Sequence, residues 1–152
     1  MLRMNRSISN ITDFIITYYP KVRKIFRELV SIKDVPITMT QLTGLFIVNK
    51  RGKITMSDLA DELSMSNQQL TKVVDALVEF DLVERQIDKG NRRIVYAQTT
   101  KKGQKTITAL NEELSKKLND LLCDYSDDEL DKLYGCFSHI ASYIDDQEKS
   151  NA

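Results

Sequence analysis

The stretch T-M-S-D-L-A-D-E-L-S-M-S-N-Q-Q-L-T-K-V-V-D-A-L, Thr55 to Leu77, decides how this 152-residue chain is read. Leu59, Ala60 and Leu63 fall on one side of a first short helix, Met56–Leu63. Ser64-Met65 makes a tight turn, and a second helix, Asn67–Glu79, gathers Leu70, Val73, Val74 and Leu77 on one side. Apolar residues at this three-and-four spacing mark a helix face that seeks a core. Two short helices joined this way form either a plain helical hairpin or a helix-turn-helix whose second helix enters a DNA major groove. The outer face of the second helix carries Gln68, Thr71, Lys72 and Asp75, with Gln69 at its edge and Asn67 at its tip. Amides bond adenine edges, threonine methyls meet thymine, and lysine meets guanine or phosphate. Ser66 and the N-terminus of that helix offer N–H groups to a phosphate.

The next residues favour the second option. L-V-E-R-Q-I (Leu82–Ile87), a polar tip D-K-G-N-R-R (Asp88–Arg93) and I-V-Y-A-Q-T (Ile94–Thr99) read as a β-hairpin directly after the second helix. Such a wing brings Arg92 and Arg93 near the flanking minor groove, where arginine is favoured when the groove is narrow. Lys53-Ile54 reads as a possible further short strand.

Working outward, four helix starts show a hydroxyl followed three residues later by an acid or amide: Thr38…Gln41, Thr55…Asp58, Ser66…Gln69 and Ser126…Glu129. This is the capping-box spacing. The remaining helices are expected at Thr38–Asn49, Thr100–Cys123 and Asp127–Gln147, and a long one at Ser7–Lys33, stopped by Asp34-Val35-Pro36 and kinked at Pro20. That first helix has a seam of Ile8, Ile11, Ile15, Tyr18, Val22, Ile25 and Leu29, with Phe14, Ile16, Tyr19 and Phe26 off it. Ile107, Leu110, Leu114, Leu118, Leu121 and Leu122 stripe the fifth helix, and Leu130, Leu133, Phe137, Ile140 and Ile144 the last. Either an intramolecular three-helix core or a partner subunit covers these faces; a two-fold homodimer is favoured because most soluble oligomers are C₂.

Composition agrees with a mostly helical chain: Gly 5, Pro 2 and no Trp argue against a many-stranded sandwich. The net charge of zero hides a segregation, +4 over residues 1–49, +3 over 50–105 and −7 over 106–152. Charge alone does not separate a nucleic-acid surface from solvated acidic faces. No apolar h-region follows Met1–Arg6, and Leu45–Val48 is too short to span a bilayer, so neither a signal peptide nor a membrane helix is expected. Cys123 and Cys136 form no CxxC pair, which suggests a reduced, cytoplasmic setting.

The run Thr55–Gly103 resembles the winged helix-turn-helix of the MarR (multiple antibiotic resistance regulator) family. Ser66, Leu70, Thr71, Lys72, Asp75 and Leu77 occupy the typical places of its recognition helix, and L-V-E-R matches its first wing strand. Its wing signature, D-x-R followed by L-T-x-x-G, falls on Asn91, Arg93, Thr99, Thr100 and Gly103. Asn91 replaces the usual Asp, so an ion pair holding Arg93 would become a neutral hydrogen bond. Thr99 replaces Leu, and Asp81 the Gly before L-V.

The resemblance implies a mostly α fold with a small β-wing (α+β), a winged helix-turn-helix flanked by long N- and C-terminal dimerisation helices. The whole chain, 1–152, would be a single MarR-like domain, with 36–103 as reader and 1–35 and 104–152 as dimerisation helices. It implies a sequence-specific transcriptional regulator, a repressor that binds a palindromic operator in double-stranded DNA as a homodimer and is released by a small aromatic or anionic effector. The expected DNA contacts are Ser66, Asn67, Gln68, Gln69, Thr71, Lys72, Asn91, Arg92 and Arg93. Phe14, Tyr18, Tyr19 and Phe46 are candidates for an effector cleft, against plain core packing.

Redox sensing through Cys123 or Cys136 is an alternative, set against the usual habit of helix cysteines as small buried hydrophobes. A winged-helix protein-interaction module without DNA binding is another, disfavoured by the polar, cationic face around Gln68 and Lys72. His139, three residues after Cys136, makes poor stock for a zinc site. No metal, cofactor or enzyme activity is expected, because nucleophile elbow, P-loop, HExxH and Gly-rich nucleotide motifs are all missing.

Overall fold

A computed structural model describes residues 6–29 and 36–150. The elements run α1 (Arg6–Leu29), α2 (Met39–Arg51), β1 (Lys53–Thr55), α3 (Met56–Glu62), α4 (Asn67–Glu79), β2 (Val83–Ile87), β3 (Val95–Thr99), α5 (Lys101–Leu122) and α6 (Asp127–Ser150). The chain divides after Leu114 into two compact units. The expected extension of the first helix past residue 29, and its stop at Asp34-Val35, lie outside the described residues. Within them α1 continues through Pro20 without interruption.

Of the four expected capping boxes, two are complete. Gln41 N–H donates to Thr38 Oγ1 at 3.3 Å while Thr38 N–H donates to Gln41 Oε1 at 2.7 Å. Ser66 and Gln69 repeat the exchange at the start of α4. The other two are half boxes. Asp58 N–H donates to Thr55 Oγ1, but the short Asp58 side chain takes the Thr55 hydroxyl rather than the backbone N–H. Glu129 reaches back to Ser126 N–H at 2.9 Å, without the reciprocal side-chain bond.

Both helices of the central pair end in the same device. After α3, Ser64 N–H donates to Asp61 C=O and Met65 N–H to Ala60 C=O; after α4, Asp81 N–H donates to Val78 C=O and Leu82 N–H to Leu77 C=O. These are Schellman motifs, whose penultimate residue takes a left-handed backbone. Ser64 (φ 51°) and Asp81 (φ 57°) occupy it in place of the usual glycine. Asp81 thus does the work expected of it at the Gly position before L-V, with a backbone penalty that short polar side chains partly relieve.

The sheet has strand order β1-β3-β2, all antiparallel. Arg85 opposes Ala97 and Ile87 opposes Val95 across the hairpin, and Ile54 opposes Ala97 on the other edge. Leu45 and Val48 of α2, Leu59 of α3, Leu70, Val74 and Leu77 of α4, and Leu82, Val83 and Ala97 of the wing are fully or almost fully buried together. Ile107 of α5 closes this core. For α3 and α4 the faces read from the 3–4 spacing are therefore the ones that meet. The recognition-helix pair and the wing share one core, which fixes their mutual position.

The start of α5 is tied to the root of the wing. Thr100 is its cap: Gly103 N–H donates to Thr100 Oγ1 at 3.0 Å, and that hydroxyl donates to Asp81 C=O at 2.6 Å. Thr99 is buried, and its hydroxyl oxygen has no hydrogen-bond partner, a consequence of threonine standing where the wing motif has leucine.

The long helices are covered unequally. Ile107 and Leu110 are buried. Along α1, by contrast, Ile8, Ile11, Ile15, Val22 and Ile25 are exposed, and so are Phe137, Ile140 and Ile144 along α6. Among the described residues no helix is long and apolar enough to cross a membrane.

Candidate nucleic-acid interface

The capping box and Schellman end fix α4, and its buried stripe turns the opposite side to solvent. Ser66, Asn67, Gln68, Gln69, Thr71 and Lys72 are all exposed. Among the described residues the Gln68 and Lys72 side chains have no partner, and each is exposed to meet a ligand. Thr71 Oγ1 donates to Asn67 C=O at 2.8 Å, leaving its methyl and an oxygen lone pair available. The Ser66 N–H, expected to be free for a phosphate, is taken by Gln69 Oε1 at 3.0 Å. The backbone N–H groups of Asn67 and Gln68 remain for that purpose, at the positive end of the helix.

Asp75 does not belong to the reading face. Its carboxylate accepts from Arg85 Nη1 of β2, and Arg85 Nη2 donates to Thr71 C=O at 3.4 Å. The pair joins recognition helix to wing. Its members lie ten residues apart on two different elements, so no local pattern announces it.

The wing tip, residues 88–94, is a turn rather than strand. Asp88 N–H donates to Ile94 C=O at 3.0 Å, closing the loop. The Asp88 carboxylate accepts the N–H groups of Gly90 and Asn91, both at 2.8 Å. These two bonds, Asn91's the larger influence, hold the carboxyl below its ordinary value. Asn91 Oδ1 accepts from the backbone N–H of Arg93 at 3.1 Å. The expected hydrogen bond from Asn91 to hold the Arg93 side chain is thus corrected: Asn91 shapes the backbone and leaves the guanidinium alone. Neither arginine lies in a strand, as expected of the tip. Arg92 and Arg93 are exposed, and among the described residues neither has a carboxylate partner.

Arg93 joins Asn67, Thr71 and Arg85 in lining an open groove of about 660 Å³, floored by Ile94 and Val95 and bounded by Thr55–Asp58 at the start of α3. The structure therefore brings the first turn of the recognition helix and the wing arginine to one surface. That surface offers amide, hydroxyl and guanidinium groups, the chemistry that reads base edges and neutralises phosphates.

The other candidates are distributed differently. Phe14 and Tyr18 stack with ring centroids 4.9 Å apart, and Lys21 Nζ lies 4.9 Å from the Tyr18 centroid. Phe14, Tyr18 and Tyr19 stand exposed on α1, while Phe46 packs against the α2 core. Cys123, in the turn after α5, and Cys136, on α6, are free and exposed rather than buried as expected. Among the described residues no group of His, Cys, Asp or Glu is placed to hold a metal.

A helix pair with a wing, packed on a three-stranded sheet and flanked by long helices, defines a winged helix-turn-helix protein. A profile of the MarR family matches residues 37–95. The uncharacterized HTH-type transcriptional regulator YpoP of Bacillus subtilis is 30% identical over 123 residues, covering 78% of this chain and 87% of that protein. A MarR family protein from Bacillus stearothermophilus has a similar structure, with a TM-score of 0.77 at 22% identity over 93% of this chain and 98% of that one. Streptococcus pneumoniae FabT, solved in complex with DNA, has a TM-score of 0.69 at 17% identity over 91% and 97% of the two chains. The chain belongs to the MarR family. It is accordingly a DNA-binding transcriptional regulator and not an enzyme.

Proposed function

We propose that the protein is a cytoplasmic repressor that binds a palindromic operator as a homodimer and is released by a small aromatic or anionic effector. The observation that carries the dimer is the uncovered apolar surface of α1 and α6, with Ile8, Ile11, Ile15, Phe137, Ile140 and Ile144 each more than half exposed. Burying one such side chain stabilises by about 1.5–3 kcal/mol, so a second copy that covers both stripes gains far more than surface contacts supply. A two-fold pair of readers calls for half-sites about one helical turn apart. FabT's DNA complex, on the same fold, supports DNA binding through this architecture.

The contacts proposed are Ser66, Asn67, Gln68, Gln69, Thr71 and Lys72 in the major groove and Asn91, Arg92 and Arg93 at the wing. The effector reading is supported by the exposed Phe14–Tyr18 stack with Lys21 beside it, a surface suited to an aromatic anion.

Selection of bound fragments from the source genome, paired with sedimentation equilibrium, tests this. The expected result is an enriched inverted repeat and a particle of twice the chain mass. Ile140→Asp with Ile144→Asp should dissociate that particle and abolish binding to the full repeat. A folded monomer that binds the whole repeat with unchanged affinity would overturn the proposal.

A further inference from the structure

The two adjacent glutamines of the recognition helix are chemically unequal. Gln69 Oε1 receives the Ser66 backbone N–H at 3.0 Å and the Ser66 hydroxyl at 3.1 Å, while Gln69 N–H donates to Ser66 Oγ at 3.3 Å. A backbone N–H only donates, so the amide oxygen must be the end that faces it. The Nε2 group is then the arm left over. Gln68, one residue earlier and also exposed, has neither amide atom engaged by any of the described residues. One glutamine can donate and accept; the other, while it caps the helix, can only donate.

We propose that this division sets part of the operator sequence: Gln69 reads a base as a pure donor and excludes cytosine, while Gln68 supplies the donor–acceptor pair that selects adenine. Adenine presents a donor (N6) and an acceptor (N7) side by side in the major groove, which suits a free amide. Guanine presents two acceptors and thymine one, whereas cytosine presents only its N4 donor. An Nε2 group held toward cytosine sets donor against donor and leaves both unpaired. Residues near the N-terminus of a recognition helix are the ones that contact base edges, and both glutamines lie in the first turn of α4. Thr71 is limited in a related way, because its hydroxyl hydrogen is committed to Asn67 C=O.

This inference rests on the DNA-binding reading above, and one substitution tests it separately. Gln69→Glu retains an oxygen for the Ser66 N–H, since glutamate is itself a capping-box residue. The helix start and the thermal midpoint should therefore be preserved. The outward donor becomes an acceptor, which suits cytosine N4. The added negative charge weakens binding to every sequence alike and does not alter which base is preferred at a given position.

The probe is a library of duplexes with a randomised central segment of about two helical turns, bound to the full-length wild type, to Gln69→Glu and to Gln68→Ala. Wild type should disfavour cytosine at least tenfold at one position in each half-site, the scale of a single mismatch. Gln69→Glu should reverse that one preference and leave the other positions as they were. Gln68→Ala should relax a different, adenine-bearing position. An enriched motif that is identical for wild type and Gln69→Glu, or one that changes at all positions together, would overturn the assignment of Gln69. Absence of any enriched motif with wild type would overturn the sequence-specific reading itself, and this inference with it.

Discussion

Gly103→Ala is expected to destabilise the protein even though alanine is the better helix former. Gly103 lies in the first turn of α5, where replacing glycine by alanine ordinarily gains about 1 kcal/mol. Here an added Cβ would stand 2.1 Å from the Leu82 carbonyl oxygen, 2.8 Å from Thr99 Cγ2 and 3.0 Å from the Leu82 carbonyl carbon. Ordinary contact begins near 3.4 Å, so the backbone must separate by about 1.3 Å.

Leu82 is poorly placed to yield. Its carbonyl accepts Thr100 N–H at 3.0 Å, its N–H closes the Schellman motif on Leu77 at 2.9 Å, and its side chain is fully buried. Overpacking of a fixed core costs about 1–3 kcal/mol, and loss of the Thr100 bond about 1 kcal/mol more. The unfavourable terms exceed the helix gain by about 1–3 kcal/mol, which for a chain of this size lowers the melting temperature by roughly 3–10 °C. Urea denaturation at one fixed protein concentration measures it, with concentration held constant because assembly adds to apparent stability. A Gly103→Ala protein as stable as the parent, or more so, would refute the close-approach argument.

Thr99→Val should raise stability by roughly 1 kcal/mol, because it removes a buried hydroxyl with no partner and keeps the shape; an unchanged or lower melting temperature would count against that accounting. The Asp88 carboxyl is held below its ordinary value by the N–H groups of Asn91 and Gly90, so the tip's order is complete above the usual aspartate range and is lost only as pH falls through the lowered value. NMR titration of those two amides should show a midpoint below that of a free aspartate, and a midpoint at or above it would contradict the assignment. Arg93→Ala should weaken operator binding at least tenfold, about 1.4 kcal/mol, with a larger loss on A·T-rich flanks. Arg92→Ala should lose less, because Arg93 and not Arg92 lines the groove beside Asn67 and Thr71; equal losses in fluorescence-anisotropy titrations would break that distinction.

Local chemistry made much of the fold legible. The bounds of α4, Asn67–Glu79, follow from a capping box at one end and the loss of helical patterning at the other. The wing is legible because two β-rich runs flank a polar tip. The cap of α5 is less legible: Thr99 and Thr100 are adjacent hydroxyls, and only the folded wing root, where Thr100 reaches Asp81, settles which one serves. At the candidate interface, residue types and helical phase bring the exposed amides and cations into view. The Ser66…Gln69 spacing already announces that Gln69 caps α4. What residue types and phase conceal is how Asp75 and Asn91 are committed, Asp75 to Arg85 and Asn91 to the Arg93 backbone. The Asn91 bond is local but competes with alternatives of similar spacing. The Asp75–Arg85 pair exists only once the core has set α4 against β2. The exposure of Cys123 and Cys136 likewise is a property of the folded chain that helical periodicity does not state.

The Arg85 bridge makes the wing and the recognition helix a single stiff gauge. Its guanidinium holds the Asp75 side chain and the Thr71 carbonyl of α4 from the adjoining strand, while the nested bonds of Asp88 and Asn91 keep the tip from unravelling. The opening between the two probes is consequently set before any duplex arrives. Little ordering remains to be done on binding, and affinity gains what preorganisation spares. On the contacts proposed above, the deformation falls on the other partner: DNA must present a major groove and its flanking minor groove at the separation the protein dictates. Sequences that bend or narrow easily meet that demand at small energy, and stiff ones do not. Base pairs that no side chain touches thereby acquire a say in where this regulator settles.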